Sequence, residues 1–115
     1  MKSRNNKYGN ARATAGGCIS LDGHSLAELI DDEFDQCTAS LGGAIYGQNF
    51  DSLEVVRAKF TNNMAHGGKG EAIHAVRFHD YVKLVDSEIH STRANAIYLE
   101  EGADIFVDNV GISTE

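Results

Sequence analysis

The chain has 115 residues, 42% of them hydrophobic and 23% charged, which gives one domain's worth of core and excludes a disordered tail. Twelve glycines without a proline or a tryptophan exclude a proline-rich linker and point to many tight, regular corners. No apolar run approaches the ~20 residues of a membrane helix, and a net charge of −7 marks an acidic protein.

That charge is unevenly spread. Lys2, Arg4, Lys7 and Arg12 lie in the first fifteen residues with no acid among them, so residues 1–15 read as a basic arm. Residues 16–115 hold six bases against all seventeen acids, a balance of −11, and read as the folded domain. An acidic body disfavours direct contact with nucleic acid, because affinity for phosphate comes from Lys and Arg. The first fifteen residues contain no hydrophobic stretch, so no export signal is read and a cytoplasmic location is expected. In that compartment Cys18 and Cys37 are expected as free thiols, two cysteines being too few for a disulfide framework.

From residue 16 the chain repeats itself. Gly16-Gly17-Cys18-Ile19 returns as Gly42-Gly43-Ala44-Ile45, as Gly70-Glu71-Ala72-Ile73, and in worn form as Asn95-Ala96-Ile97, the isoleucines being 26, 28 and 24 residues apart. A second series follows: Phe34, Phe60 and Ile89, each succeeded five residues later by Ala39, Ala65 and Ala94. Between them, Ser25-Leu26-Ala27-Glu28 has capping-box spacing, and Leu26, Leu29, Ile30 and Phe34 would share one helical face. A short N-terminal capping helix over residues 25–35 therefore competes with a strand there. Gly67-Gly68-Lys69-Gly70 lacks the spacing of a phosphate loop and reads as a turn.

A loose period of about 26 is too short for helical repeats, and no leucine ladder is present. A right-handed parallel β-helix, a single-chain solenoid of about four coils, fits both series, since a turn can lengthen without disturbing the stacked strands. Strand alternation then puts Ile19, Ile45, Ile73 and Ile97 in one inward column and Ser20, Tyr46, His74 and Tyr98 in the neighbouring outward one. In the second series Val56, Ala58 and Phe60, and likewise Val85, Ser87 and Ile89, point inward. The outward residues stack as Asp31–Arg57–Asp86 and Glu33–Lys59–Glu88, opposite charges on adjacent coils at a spacing where cross-strand pairs contribute ~0.2–1 kcal/mol each. Asp32 falls inward, where an unpaired carboxylate is costly, unless that coil is distorted or sits at an open end.

Gly42-Gly43-Ala44-Ile45 and Phe60-Thr61-Asn62-Asn63 resemble the paired GGAI and FxxN repeats of polymorphic outer-membrane proteins and related autotransporter passengers. That resemblance implies a right-handed β-helix exported to a cell surface, often as an adhesin. If the chain is a fragment of such a passenger, surface exposure is the expected location.

For chemistry the sequence offers little. Acids that alternate with Arg57 and Lys59 suit charge matching better than a carboxylate dyad, and the expectation is a protein that is not an enzyme. Five histidines, among them His66, His74, His79 and His90, fall in no metal-ligand spacing, and no cofactor motif is present. The suggestive surface feature is the column of Tyr46, His74 and Tyr98, which could meet a protein or glycan partner or simply stabilise itself. The leading expectation is a non-catalytic interaction protein presenting a flat face to a macromolecule. The alternatives are an acidic intracellular inhibitor that imitates nucleic acid, and a polysaccharide-binding or polysaccharide-cleaving β-helix. Unpaired strand edges at the coil ends favour homo-oligomers.

Overall fold

The computed structural model describes residues 2–9, 11–23, 26–92, 96–102 and 104–114. Among these every regular element is a strand, and every strand pairing is parallel. The chain winds as a β-solenoid of about four turns.

The strands, in chain order, are β1 (Lys2–Arg4), β2 (Lys7–Gly9), β3 (Ile19–Asp22), β4 (Leu26–Ile30), β5 (Glu33–Asp35), β6 (Thr38–Leu41), β7 (Ile45–Val56), β8 (Lys59–Thr61), β9 (Met64–Lys69), β10 (Ile73–Val85), β11 (Glu88–Thr92), β12 (Ile97–Glu100), β13 (Asp104–Asp108) and β14 (Gly111–Thr114). They lie on four faces. The first face stacks β3, the start of β7, the start of β10, and β12. The second stacks β1, β4, the ends of β7 and β10, and β13. The third stacks β2, β5, β8, β11 and β14, and the fourth pairs β6 with β9.

Left-handed residues turn the corners. One corner column is Asn5, Asp31, Arg57, Asp86 and Asn109, all at φ between 51° and 57°. Four of these five are Asn or Asp, the side chains that tolerate this conformation best after glycine. A second corner column is Gly23, Asn49, Arg77 and Glu101, which bends β7 and β10 from the first face onto the second. A third begins each GGAI-like segment: Gly16, Gly42 and Gly70 have φ of 66°, 61° and 66°, and a Cβ there would strike the carbonyl oxygen of Ile19, Ile45 or Ile73. Glycine is thus required at that point by both conformation and space.

The core is a set of vertical files. Ile19, Ile45, Ile73 and Ile97 pair in register, as the repeat spacing predicts. Tyr8, Phe34 and Phe60 stack face to face, with centroids 5.0 and 4.8 Å apart and rings within 10° of parallel, and Ile89 continues the file. Leu29, Val55 and Leu84 form a third buried file on the second face.

Several expectations are corrected. Residues 26–30 are strand, not capping helix: Ala27 and Leu29 are buried while Leu26, Glu28 and Ile30 are half-buried. β4 has a parallel ladder on both sides, β1 and β7, so period-two burial prevails over local capping chemistry; Ser25 lies outside the described residues. Val56 and Val85 point outward, because the left-handed residues Arg57 and Asp86 shift the alternation, and Leu53, Val55, Val82 and Leu84 fill the interior instead. The basic segment supplies β1 and β2 to the second and third faces. Ala94 and Asn95, counted in the repeats, lie outside the described residues.

Asp32 is inward and fully buried, as its column predicts, and the β1–β2 rung lies beyond its coil, so it does not sit at an open end. Its Oδ1 accepts the backbone N–H of Asn6 at 2.8 Å. The same device recurs along the stack. Ser87 Oγ accepts the Ala58 N–H at 3.1 Å and donates to the Val85 carbonyl at 2.9 Å. Asn63, the asparagine of the FxxN segment, accepts the Cys37 N–H at 2.9 Å and donates to the Phe34 carbonyl at 3.1 Å. At these three points the backbone donor of one coil is accepted by a buried polar side chain of the next coil.

The cysteines are not free thiols. Cys18 and Cys37 form a disulfide with Cα atoms 5.6 Å apart. Cys18 opens a coil and Cys37 lies where that coil's third face turns into its fourth, so three faces of chain bring them back to the same level. The corresponding residues of the following coil are Ala44 and Asn63.

Candidate interaction surface

Period-two alternation on the first face sends one side chain of each coil outward at the same height, and the register stacks Ser20, Tyr46, His74 and Tyr98. The rings meet edge to face: Tyr46 and His74 at 5.2 Å and 65°, His74 and Tyr98 at 4.8 Å and 69°. The sequence-derived trio is therefore assembled in space. Tyr46 and Tyr98 are half-buried, whereas His74, held between them, is 4% exposed.

Neighbours fix the tyrosines. The Tyr46 hydroxyl donates to Gln48 Oε1 at 3.0 Å and that of Tyr98 to Glu100 Oε2 at 3.3 Å. The Lys69 ammonium lies 4.9 Å from the Tyr98 ring centroid, within cation–π range. Burial between the rings lowers the His74 pKa, the Lys69 charge lowers it further, and Glu100 and the Lys69 backbone partly oppose this. His74 is accordingly neutral at pH 7 and acts as an aromatic spacer.

The second face carries a groove that the repeat motifs do not signal. Its volume is about 650 Å³, and its walls include Glu54, Tyr81, Lys83, Asp104, Phe106 and Asp108. Tyr81 and Phe106 approach edge to face at 6.2 Å, and the Tyr81 hydroxyl donates to Glu54 at 3.0 Å, which raises its pKa. The signal for this pair was the parallel between Tyr81-Val82-Lys83 and Asp104-Ile105-Phe106. Unequal spacers before the second face, such as 48 to 52 against 76 to 81, hid it.

The third face bears the charge columns in the expected register, Glu33 with Lys59 and Lys59 with Glu88, and Lys7 extends them to 3.8 Å from Glu33. Arg57 grips Asp31 with two bonds of 2.7 and 3.2 Å, which lowers the Asp31 pKa and raises that of Arg57. His90 bonds Ser113 and Glu88, while His66 and His79 are exposed. Among the described residues no group of three His, Cys, Asp or Glu side chains could hold a metal ion, and no helix is long and apolar enough to cross a membrane. The arrangement offers rings, amides and paired charges for contact. No protein-family model, curated protein or solved structure matches this chain.

Proposed function

We propose that the chain is a non-catalytic interaction protein that offers the first face of a small acidic solenoid, centred on Tyr46, His74 and Tyr98, to a protein or glycan partner. The ring column carries this reading. Three rings at strand spacing, two of them tethered by Gln48 and Glu100, are held in position before a partner arrives, so little side-chain freedom is lost on binding. The alternation of Asp31, Glu33, Asp86 and Glu88 with Arg57 and Lys59 supports a charge-matched scaffold over a carboxylate dyad or an imitation of the phosphate backbone. The Cys18–Cys37 disulfide supports an oxidising compartment, in keeping with the exported setting that the GGAI and FxxN resemblance implies.

The test is a capture experiment from native-host extract in non-reducing buffer, with a glycan array in parallel. The wild-type chain is compared with Tyr46→Ala/Tyr98→Ala. A ligand held by the rings disappears with the double variant and survives moderate salt. An unchanged ligand list removes the first face as the site. Binding that collapses with salt in both proteins favours the nucleic-acid imitation instead.

A further inference from the structure

The two ends of the stack are unlike. On the rung formed by β13 and β14, Ile105, Val107 and Ile112 occupy inward files yet are 52%, 55% and 52% exposed. In the same files the other apolar residues are closed off: Ala27, Leu53 and Val82 before Ile105; Leu29, Val55 and Leu84 before Val107; Phe34, Phe60 and Ile89 before Ile112, none above 3% exposed. Phe106, on the outer side of this rung, is 53% exposed. Residues 96–115 contain Glu100, Glu101, Asp104, Asp108 and Glu115 and no base. The opposite rung, β1 and β2, lies in the segment that carries Lys2, Arg4, Lys7 and Arg12 and no acid.

We propose that the chain stacks head to tail on a second copy of itself, the basic β1–β2 rung of one copy pairing in parallel with the acidic β13–β14 rung of the other. The inference goes beyond the interaction reading and does not depend on Tyr46, His74 or Tyr98. Continuing the observed register by one rung sets Ser3 after Val107, Tyr8 after Ile112, Lys2 after Phe106 and Arg4 after Asp108. The Ile112 file then runs on through Tyr8 into the aromatic file of the next copy, and Ser3 closes over Val107. Lys2 meets an aromatic ring beside the carboxylates of the second-face groove, and Arg4 meets an acid. Tail-to-tail contact would instead set two acidic Asp104–Asp108 strands against each other. A heterologous contact of this kind does not close on itself, so the product is an open-ended stack that repeats the first face once per copy.

Sedimentation velocity and light scattering on the 115-residue chain test this, with circular dichroism to confirm that each variant is folded. The expected result is a mass that grows with protein concentration without a fixed limit and falls as salt is added. Arg4→Glu and Asp108→Arg alter exposed side chains. Each alone loses assembly, and an equimolar mixture of the two recovers it, because each supplies the other's complement. A wild-type chain that stays monomeric at high concentration and low salt overturns the proposal. So does a closed dimer indifferent to Arg4→Glu, or a mixture that fails to recover assembly.

Discussion

Asp32 and Asn6 are twenty-six residues apart, and the fully buried carboxylate of one accepts the backbone N–H of the other at 2.8 Å. The bond ties the basic N-terminal rung to the coil above it, where Tyr8 also stacks on Phe34. Replacing Asp32 by alanine leaves the Asn6 donor without its partner, at a cost of ~1–3 kcal/mol. The expected outcome for Asp32→Ala is a lower unfolding midpoint together with faster hydrogen exchange at the Asn6 amide. Unchanged exchange there would mean that the first rung is not held by this bond.

The disulfide joins two residues of one coil, nineteen apart in sequence. Closing a loop of that size stabilises by about 3 kcal/mol in the chain-entropy view. Reduction, or Cys37→Ala, should therefore lower the denaturant midpoint while leaving the parallel ladders in place, because β3, β4 and β5 each pair with the neighbouring coil. Thiol titration of the unreduced, denatured chain is expected to find no free thiol. Two free thiols would return the cysteines to the cytoplasmic picture.

His74 makes stability depend on pH in a definite direction. Its folded-state pKa lies below the ordinary 6.5, chiefly because burial disfavours the charged ring. Above pH 6.5 neither the folded nor the unfolded chain carries a proton there. As pH falls through 6.5 the unfolded chain binds one and the folded chain does not, so this residue's contribution to stability declines until the folded pKa is reached. His74→Gln should flatten that acid-side loss, and NMR titration of the imidazole should give a midpoint below 6.5. A midpoint at or above that value would mean that the ring is open to water.

Much of the stack was legible because strand alternation and coil register are geometric rules. Ile19, Ile45, Ile73 and Ile97, and the outward trio Tyr46, His74 and Tyr98, pair as the repeat spacing requires. What stayed hidden depended on the corners. Arg57 at φ 51° flips the alternation and turns Val56 outward, and an arginine gives no local hint of a left-handed backbone. The Asn and Asp residues of the same column, at 5, 31, 86 and 109, did carry that hint. The first rung went unread because β1 and β2 contain only Tyr8 as a large ring, and its role emerges only when Phe34 and Phe60 lie beside it. Likewise the cysteine pair is meaningless along the chain and becomes obvious once three faces bring Cys18 and Cys37 to one level.

The aromatic file makes the sharpest stability prediction. Phe60 is fully buried and stacks on Phe34 at 4.8 Å, with Ile89 on the rung beyond. Solenoid stability is a sum of rungs and the contacts between neighbours, so a defect in the middle of the file weakens two interfaces at once. Phe60→Ala removes the ring and opens a cavity between coils, a loss of ~3–5 kcal/mol. For a domain whose total stability is of the order of 5–15 kcal/mol, that is a large share. Phe60→Leu keeps most of the volume and loses chiefly the ring stacking, ~0.5–1.5 kcal/mol per aromatic pair. Ile112→Ala, at the exposed end of the same file, should cost the isolated chain little, because half of that side chain already faces water. Chemical denaturation of the three variants at low protein concentration is expected to rank them Phe60→Ala, Phe60→Leu, Ile112→Ala in order of decreasing loss. An Ile112→Ala loss equal to that of Phe60→Ala would show that the β14 end is covered in solution even where stacking between copies is disfavoured.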